Sequence, residues 1–231
     1  MRGSGTRFNR DQTCIRSFSF LSLCRGINLE YFTRKRKLFL EHLILSILNR
    51  KGVTLSMELR RFFRLIKPKT TDVISNAGYL KQRLKLNPAA FAYLNDFHVK
   101  NFYEDEKNLQ KYKGYFVLAI DGSYVNLPNT QENRGVYGFR ANQFSQQVQA
   151  GVSCLHDVFN KMILDCTINH YNFNERDQVE VHIAKVPTIL KEQPYVVILD
   201  RGYPSSCFFM NRLERDEKFV VRLNSDRKSV V

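Results

Sequence analysis

Apolar residues recur at helical spacing in the first half of the chain and gather into short β-rich runs in the second. Residues 1–30 have little periodicity and several Gly, Ser and Arg, which predicts a poorly ordered start. The basic run TRKRKL (Thr33 to Leu38) leads into a predicted helix reaching about Arg50, with Lys51–Gly52 as its stop. A second helix is predicted from about Thr54 to Ile66. It carries Leu55, Leu59, Phe62, Phe63 and Ile66 on one face and Arg60, Arg61 and Arg64 on the other, and Pro68 closes it. DVISNAGYLKQRLKL (Asp72 to Leu86) reads as one or two short helices with Gly78 near a bend and Lys81, Arg83 and Lys85 clustered. Asn87–Pro88 starts another helix, with Asn as N-cap and Pro at the first helical position.

From Tyr115 onward the pattern changes. Strands are predicted at Tyr115–Ile120, Gln146–Cys154, Met162–Ile168, Tyr195–Leu199 and Lys218–Leu223. GVYGFRANQFSQQ reads as a loop with hairpin character. Helices are predicted at Asp177–Leu190, interrupted at Pro187, and at Ser205–Arg215. Three strands in succession suggest an antiparallel meander. A helical crossover then returns the chain to a strand parallel to the first. That is the ribonuclease-H-like order. The fold class is therefore mixed α+β and α/β: a poorly ordered 1–30, a helical basic region over 31–113 and a mixed-sheet core, incomplete, over 114–231.

Charge sharpens this division. Met1–Lys113 holds 23 Lys and Arg against 9 acids, and Gly114–Val231 holds 13 against 13, so the whole net charge of +14 lies in the first half. Such asymmetry points to a helical part that meets a polyanion, for which nucleic acid fits best. Arg34, Lys35, Arg36, Arg60, Arg61, Arg64, Lys81, Arg83 and Lys85 are the candidate contacts, on either a helix-turn-helix-like reader or a plain bundle with a basic face. The most apolar stretch, LFLEHLILSIL, is too short for a membrane span, and the serine-rich IRSFSFLSLC has no convincing cleavage site. Five scattered cysteines without a CxxC pair suggest free thiols in a reducing compartment, and they do not cluster with the histidines as a zinc site would require.

Two strands end on carboxylates: YFVLAI before Asp121 and VVIL before Asp200. If the strands are parallel neighbours, the carboxylates converge about 5 Å apart at one rim. Two such acids repel unless they share a proton or a cation, and hard divalent cations prefer oxygen ligands. The blander reading has Asp121 shape a DGSY turn, and Asp200 pair with Arg201 or cap the helix that follows. Glu175 and Arg176 take either a site role or a helix-start role. Tyr203 either stacks on a base or packs under the turn. His156 and His170 read as strand-end or loop residues.

IDGSYVNLP, the region through NERDQ, and VILDRGYPS followed by KFVVRL resemble DDE transposases of bacterial insertion sequences, nearest the IS-four-type group. TRKRKLFLEHLILSILN, LSMELRRFF and KQRLKLNPAAF resemble the helical N-terminal region of that family, so the resemblance covers about residues 31–225. It implies cut-and-paste transposition of double-stranded DNA with Mg²⁺ or Mn²⁺, a possible homodimer in a synaptic complex, and a cytoplasmic, nucleoid-associated bacterial protein. Asp121 and Asp200 would be the first two catalytic, metal-binding carboxylates, with Arg201 a phosphate contact or the partner of Asp200. The family's third acid lies in a Tyr-x2-Arg-x3-Glu-x6-Lys spacing that nothing here fits; after Asp200 the tyrosine is Tyr203, followed at +3 by Ser206. The expectation is a truncated transposase, or alternatively a non-catalytic fragment that binds the element's terminal repeats. A metal-dependent nuclease of another kind is a third reading.

Overall fold

The computed structural model describes residues 13–33, 37–66, 73–104, 109–141, 143, 146–200, 202–203 and 206–222, with Cys207 in backbone only. The chain divides into two compact units, residues 1–101 and 102–231.

The first unit is helical. α1 (Phe18–Arg25) starts at Ser17, whose hydroxyl accepts from Phe20 N at 3.2 Å, and stops at Gly26 with φ +60°. It buries Phe20 and Cys24, so over residues 13–30 the expected poorly ordered start gives way to a helix with its own apolar face. α2 (Leu40–Leu48) begins two residues into its apolar run and ends with it, short of the predicted Arg50. α3 (Leu55–Ile66) follows a turn at Gly52, whose φ of +79° suits glycine. Glu58, hardly accessible, accepts from Lys51 N at 2.7 Å and Val53 N at 3.1 Å and so ties that turn to the helix. α4 (Asn76–Arg83) is a single helix capped by Ser75. Gly78 lies within it, donating to the cap at 3.1 Å rather than marking a bend. α5 (Ala89–Tyr103) begins as expected, with Asn87 Oδ1 accepting from Ala89 N at 3.1 Å. Leu43, Ile44, Leu59, Phe63, Tyr79 and Ala90 lie at the centre of the core. Pro68 and Asp72 lie outside the described residues.

The second unit is a six-stranded mixed sheet: β1 (Phe116–Asn126), β2 (Phe139–Ala141), β3 (Gln146–Asp157), β4 (Met162–His170), β5 (Tyr195–Leu199) and β6 (Phe219–Val221). β3 pairs antiparallel with β1, β2 and β4, while β5 runs parallel to β1 and β6 parallel to β5. The meander-then-crossover order expected from the sequence is the one observed: β4-β3-β1-β5-β6. The loop with hairpin character contains the β2–β3 hairpin. It is preceded by an unforeseen helix, α6 (Gln131–Tyr137), capped by Thr130, whose hydroxyl accepts from Asn133 N at 3.2 Å. The predicted crossover helix is two: α7 (Glu175–Ile183), capped by Asn174, and α8 (Val186–Leu190), with Pro187 in its first turn, where a missing N–H costs nothing. α9 (Ser206–Glu214) follows β5.

Phe116, Leu118, Ile120, Leu155, Val197 and Leu199 are essentially inaccessible. At about 1.5–3 kcal/mol for each large apolar side chain buried, they anchor the sheet. Polar groups fix the elements packed around them. The Tyr103 hydroxyl donates to Asp157 Oδ2 at 2.6 Å, and Asn160 Nδ2 donates to the same oxygen at 2.8 Å, binding the end of α5 to the β3–β4 turn. The buried Arg212 of α9 pairs with Glu180 of α7 and with Glu217.

Candidate active site and basic face

Asp121 does not end its strand. β1 continues to Asn126 because β3 goes on pairing with it, Asp121 opposite Cys154 and Asn126 opposite Gln149. The DGSY turn is therefore absent. What ends here is the ladder with β5, whose last pair is Ile120 and Leu199. Asp121 and Asp200 are the next residues on the two strands, at one rim of the sheet, and adjacent parallel strands lie about 5 Å apart. Both are exposed. Asp121 Oδ1 accepts from Gly122 N at 3.0 Å. Past Leu199 the chain turns, with Tyr203 N donating to the Asp200 carbonyl at 3.2 Å.

A third acid comes to this rim. Glu175 opens α7, and its carboxylate lies over Gly122: a Cβ on that glycine would sit 3.0 Å from Glu175 Oε1. Tyr203 lies within the field of all three acids. Its side chain is buried, at 2% exposure, and its hydroxyl has no hydrogen-bond partner. Burial, then Glu175, Asp121 and Asp200, push the phenol pKa well above its usual value, so the hydroxyl remains a donor. Tyr203 thus packs under the turn rather than presenting its ring to a base. Among the described residues, no group of three or more His, Cys, Asp or Glu has the geometry to hold a metal ion. Two oxygen donors at an open rim nevertheless suit a hard divalent cation such as Mg²⁺, which binds through one or two carboxylates and completes its shell with water and phosphate.

Behind the rim is a buried network that the sequence did not reveal. His182, fully inaccessible, places Nδ1 2.7 Å from Asp165 Oδ2 and Nε2 3.0 Å from Ser153 Oγ. Lys185 Nζ donates to Asp165 Oδ1 at 2.7 Å. Burial alone would raise the Asp165 pKa; the bonds from His182 and Lys185 outweigh it and hold the pKa below the usual value. The network joins β3 and β4 to α7, and so fixes the helix that carries Glu175. It has a serine–histidine–aspartate arrangement, but with Ser153 1% exposed it has no access for a substrate. His170 closes β4 as expected, its Nδ1 accepting from Asn172 N at 3.2 Å.

In the first unit, Arg60, Arg61 and Arg64 are exposed on α3 opposite the buried Leu59, Phe62 and Phe63, as the periodicity predicts. Arg60 and Arg64 line a groove with Ser56, Leu59 and Phe63, closed on its other side by Val73 to Ala77. Lys81 and Arg83 are exposed in the last turn of α4, and the Lys85 ammonium lies 5.2 Å from the centre of the Tyr31 ring. Arg34, Lys35, Arg36 and Arg201 lie outside the described residues. Among the described residues, no helix is long and apolar enough to cross a membrane.

No protein-family model matches the sequence, and no curated protein matches it. Among solved structures, the chain is similar to a piggyBac transposase synaptic complex with hairpin DNA, determined by cryo-electron microscopy. The TM-score is 0.50 at 12% identity, with 97% of this chain and 52% of that one covered. The likeness is one of fold, and this chain spans about half the length of the structure it matches.

Proposed function

We propose that the chain is a DNA transposase of the DDE type, acting in metal-dependent cut-and-paste transposition of an insertion sequence. The observation that supports the reading is the β1–β5 register, whose last pair, Ile120 and Leu199, immediately precedes Asp121 and Asp200. The likeness in fold to a transposase supports it. Asp121 and Asp200 would hold Mg²⁺ or Mn²⁺, which when bound would stabilise charge on the phosphodiester oxygens. The chain's own residues do the rest. The Gly122 N–H fixes the Asp121 carboxylate by one oxygen, leaving the other for the ligand. Exposed Arg60, Arg61, Arg64, Lys81 and Arg83 draw in duplex DNA by replacing its condensed counterions. A homodimer in a synaptic complex and a place in the bacterial cytoplasm near the nucleoid belong to the same reading.

A second reading, DNA binding without chemistry, is favoured by the concentration of the whole net charge in the first half of the chain. One experiment separates the two. Supercoiled plasmid is incubated with the full chain and Mg²⁺ or Mn²⁺, beside gel shifts of duplex DNA at increasing salt. Nicking that Asp121→Ala and Asp200→Ala each abolish, with binding intact, supports the transposase. Binding that weakens steeply with salt, without nicking, supports the second reading. Nicking unchanged in both variants refutes the assignment of the two acids.

A further inference from the structure

Two of the five cysteines, twelve residues apart in sequence, meet across the β3–β4 ladder. Cys154 and Cys166 are direct register partners, both free thiols, with the Cys154 Sγ donating to the Cys166 Sγ at 3.2 Å. The next pair, Ser153 and Thr167, bonds to His182 and Gln178 of α7. Strand alternation therefore turns the two thiols to the opposite face of the sheet. Cys166 is exposed and Cys154 half-buried. Cys154 is also the register partner of Asp121 on β1, so the thiol pair is the immediate lateral neighbour of the candidate carboxylate rim.

We propose that Cys154 and Cys166 form an oxidation site that takes a hydroperoxide as its reagent and closes to an intramolecular disulfide. Cys166 is the entry sulfur: it is the exposed member and accepts the hydrogen bond from Cys154. Cys154, the half-buried member 3.2 Å away, is the resolving thiol, shielded from the reagent until Cys166 has reacted. In the first step Cys166–SH and ROOH give Cys166–SOH and ROH. In the second, Cys154–SH attacks the Cys166 sulfur; the S–S bond forms, the S–O bond breaks, and water carries away the hydroxyl and the Cys154 proton. Two electrons pass from the thiol pair to the peroxide. A cross-strand link needs the two sulfurs to close to bonding distance, and they already lie 3.2 Å apart on directly opposed residues.

This oxidation is independent of the transposase reading, and a chain that cuts no DNA leaves it intact. The test treats the full chain with hydrogen peroxide, quenches it, denatures it without reductant, alkylates it with iodoacetamide and measures the intact mass. The expected product is about 2 Da lighter before alkylation and has lost two of its five alkylatable thiols. Its tryptic map then shows one linked pair containing Cys154 and Cys166. In Cys154→Ser the link disappears and Cys166 proceeds to the sulfinic acid. Five thiols still alkylatable after peroxide treatment, an oxidised Cys166 beside a Cys154 that is still alkylatable, or a link joining any other pair, would overturn the proposal. The peptide map of the wild-type chain distinguishes these outcomes even if a serine variant fails to fold.

Discussion

Asp165→Ala tests whether the buried network behind the rim stabilises the second unit as its geometry requires. The carboxylate accepts from His182 and Lys185 at 2.7 Å each. His182 is fully inaccessible, so its Nδ1–H would be left without an acceptor in the interior, which costs about 1–3 kcal/mol. The lost charge-assisted bond and the space vacated between β4 and α7 bring the expected loss to about 3 kcal/mol. Lys185 is half exposed and contributes under about 1 kcal/mol of this, so Lys185→Ala is the mild control. A chain of this size loses about 2–4 °C per kcal/mol, so Asp165→Ala should melt about 6–12 °C lower in calorimetry. The loss should depend on pH. The Asp165 pKa is held below its unfolded value of about 3.9, so its stabilisation is present above about pH 4 and fades as pH falls through the folded value. The gap between wild type and variant should be constant from about pH 5 to 7 and narrow in acid. A drop of less than about 2 °C, or a gap that widens below about pH 4, would contradict this role for Asp165.

Two further outcomes follow from single contacts. Tyr203→Phe removes a buried hydroxyl that has no partner, so it should raise stability by about 1 kcal/mol, read as a higher denaturation midpoint in urea; a lower midpoint would mean that the hydroxyl is bonded. Gly151→Ala would bring a Cβ 2.1 Å from Phe173 Cδ1, and the ring, set edge-on to Tyr124, must move; a loss of about 1–3 kcal/mol is expected by the same assay, and an unchanged midpoint would show that the ring relocates freely.

What can be read from the sequence follows from where the forces are local. The strands before Asp121 and Asp200 are apolar runs bounded by polar residues, so their type and parallel pairing are legible. So is the face of α3, because Leu59, Phe62 and Phe63 alternate with arginines at helical spacing. The continuation of β1 is not legible. Gly122–Ser123 has turn chemistry, and only pairing with β3 keeps it extended. The His182 network is hidden because Ser153, Asp165 and His182 meet only when a hairpin and a helix pack. The two thiols look scattered along the chain, since hairpin register, which composition does not carry, decides that they face each other. α6 has a local signal, Thr130 at its cap with Glu132 in its first turn, but Gly135 and its short length mask it.

The fork in the sheet has a mechanical consequence. Asp121 rides on a strand clasped by β3 from Leu118 to Asn126, whereas Asp200 leaves a five-residue strand whose other neighbour, β6, is only three residues long. One jaw of the rim is thus stiff and the other compliant. Amide hydrogens along β1 should exchange far more slowly than those of the three-residue β6.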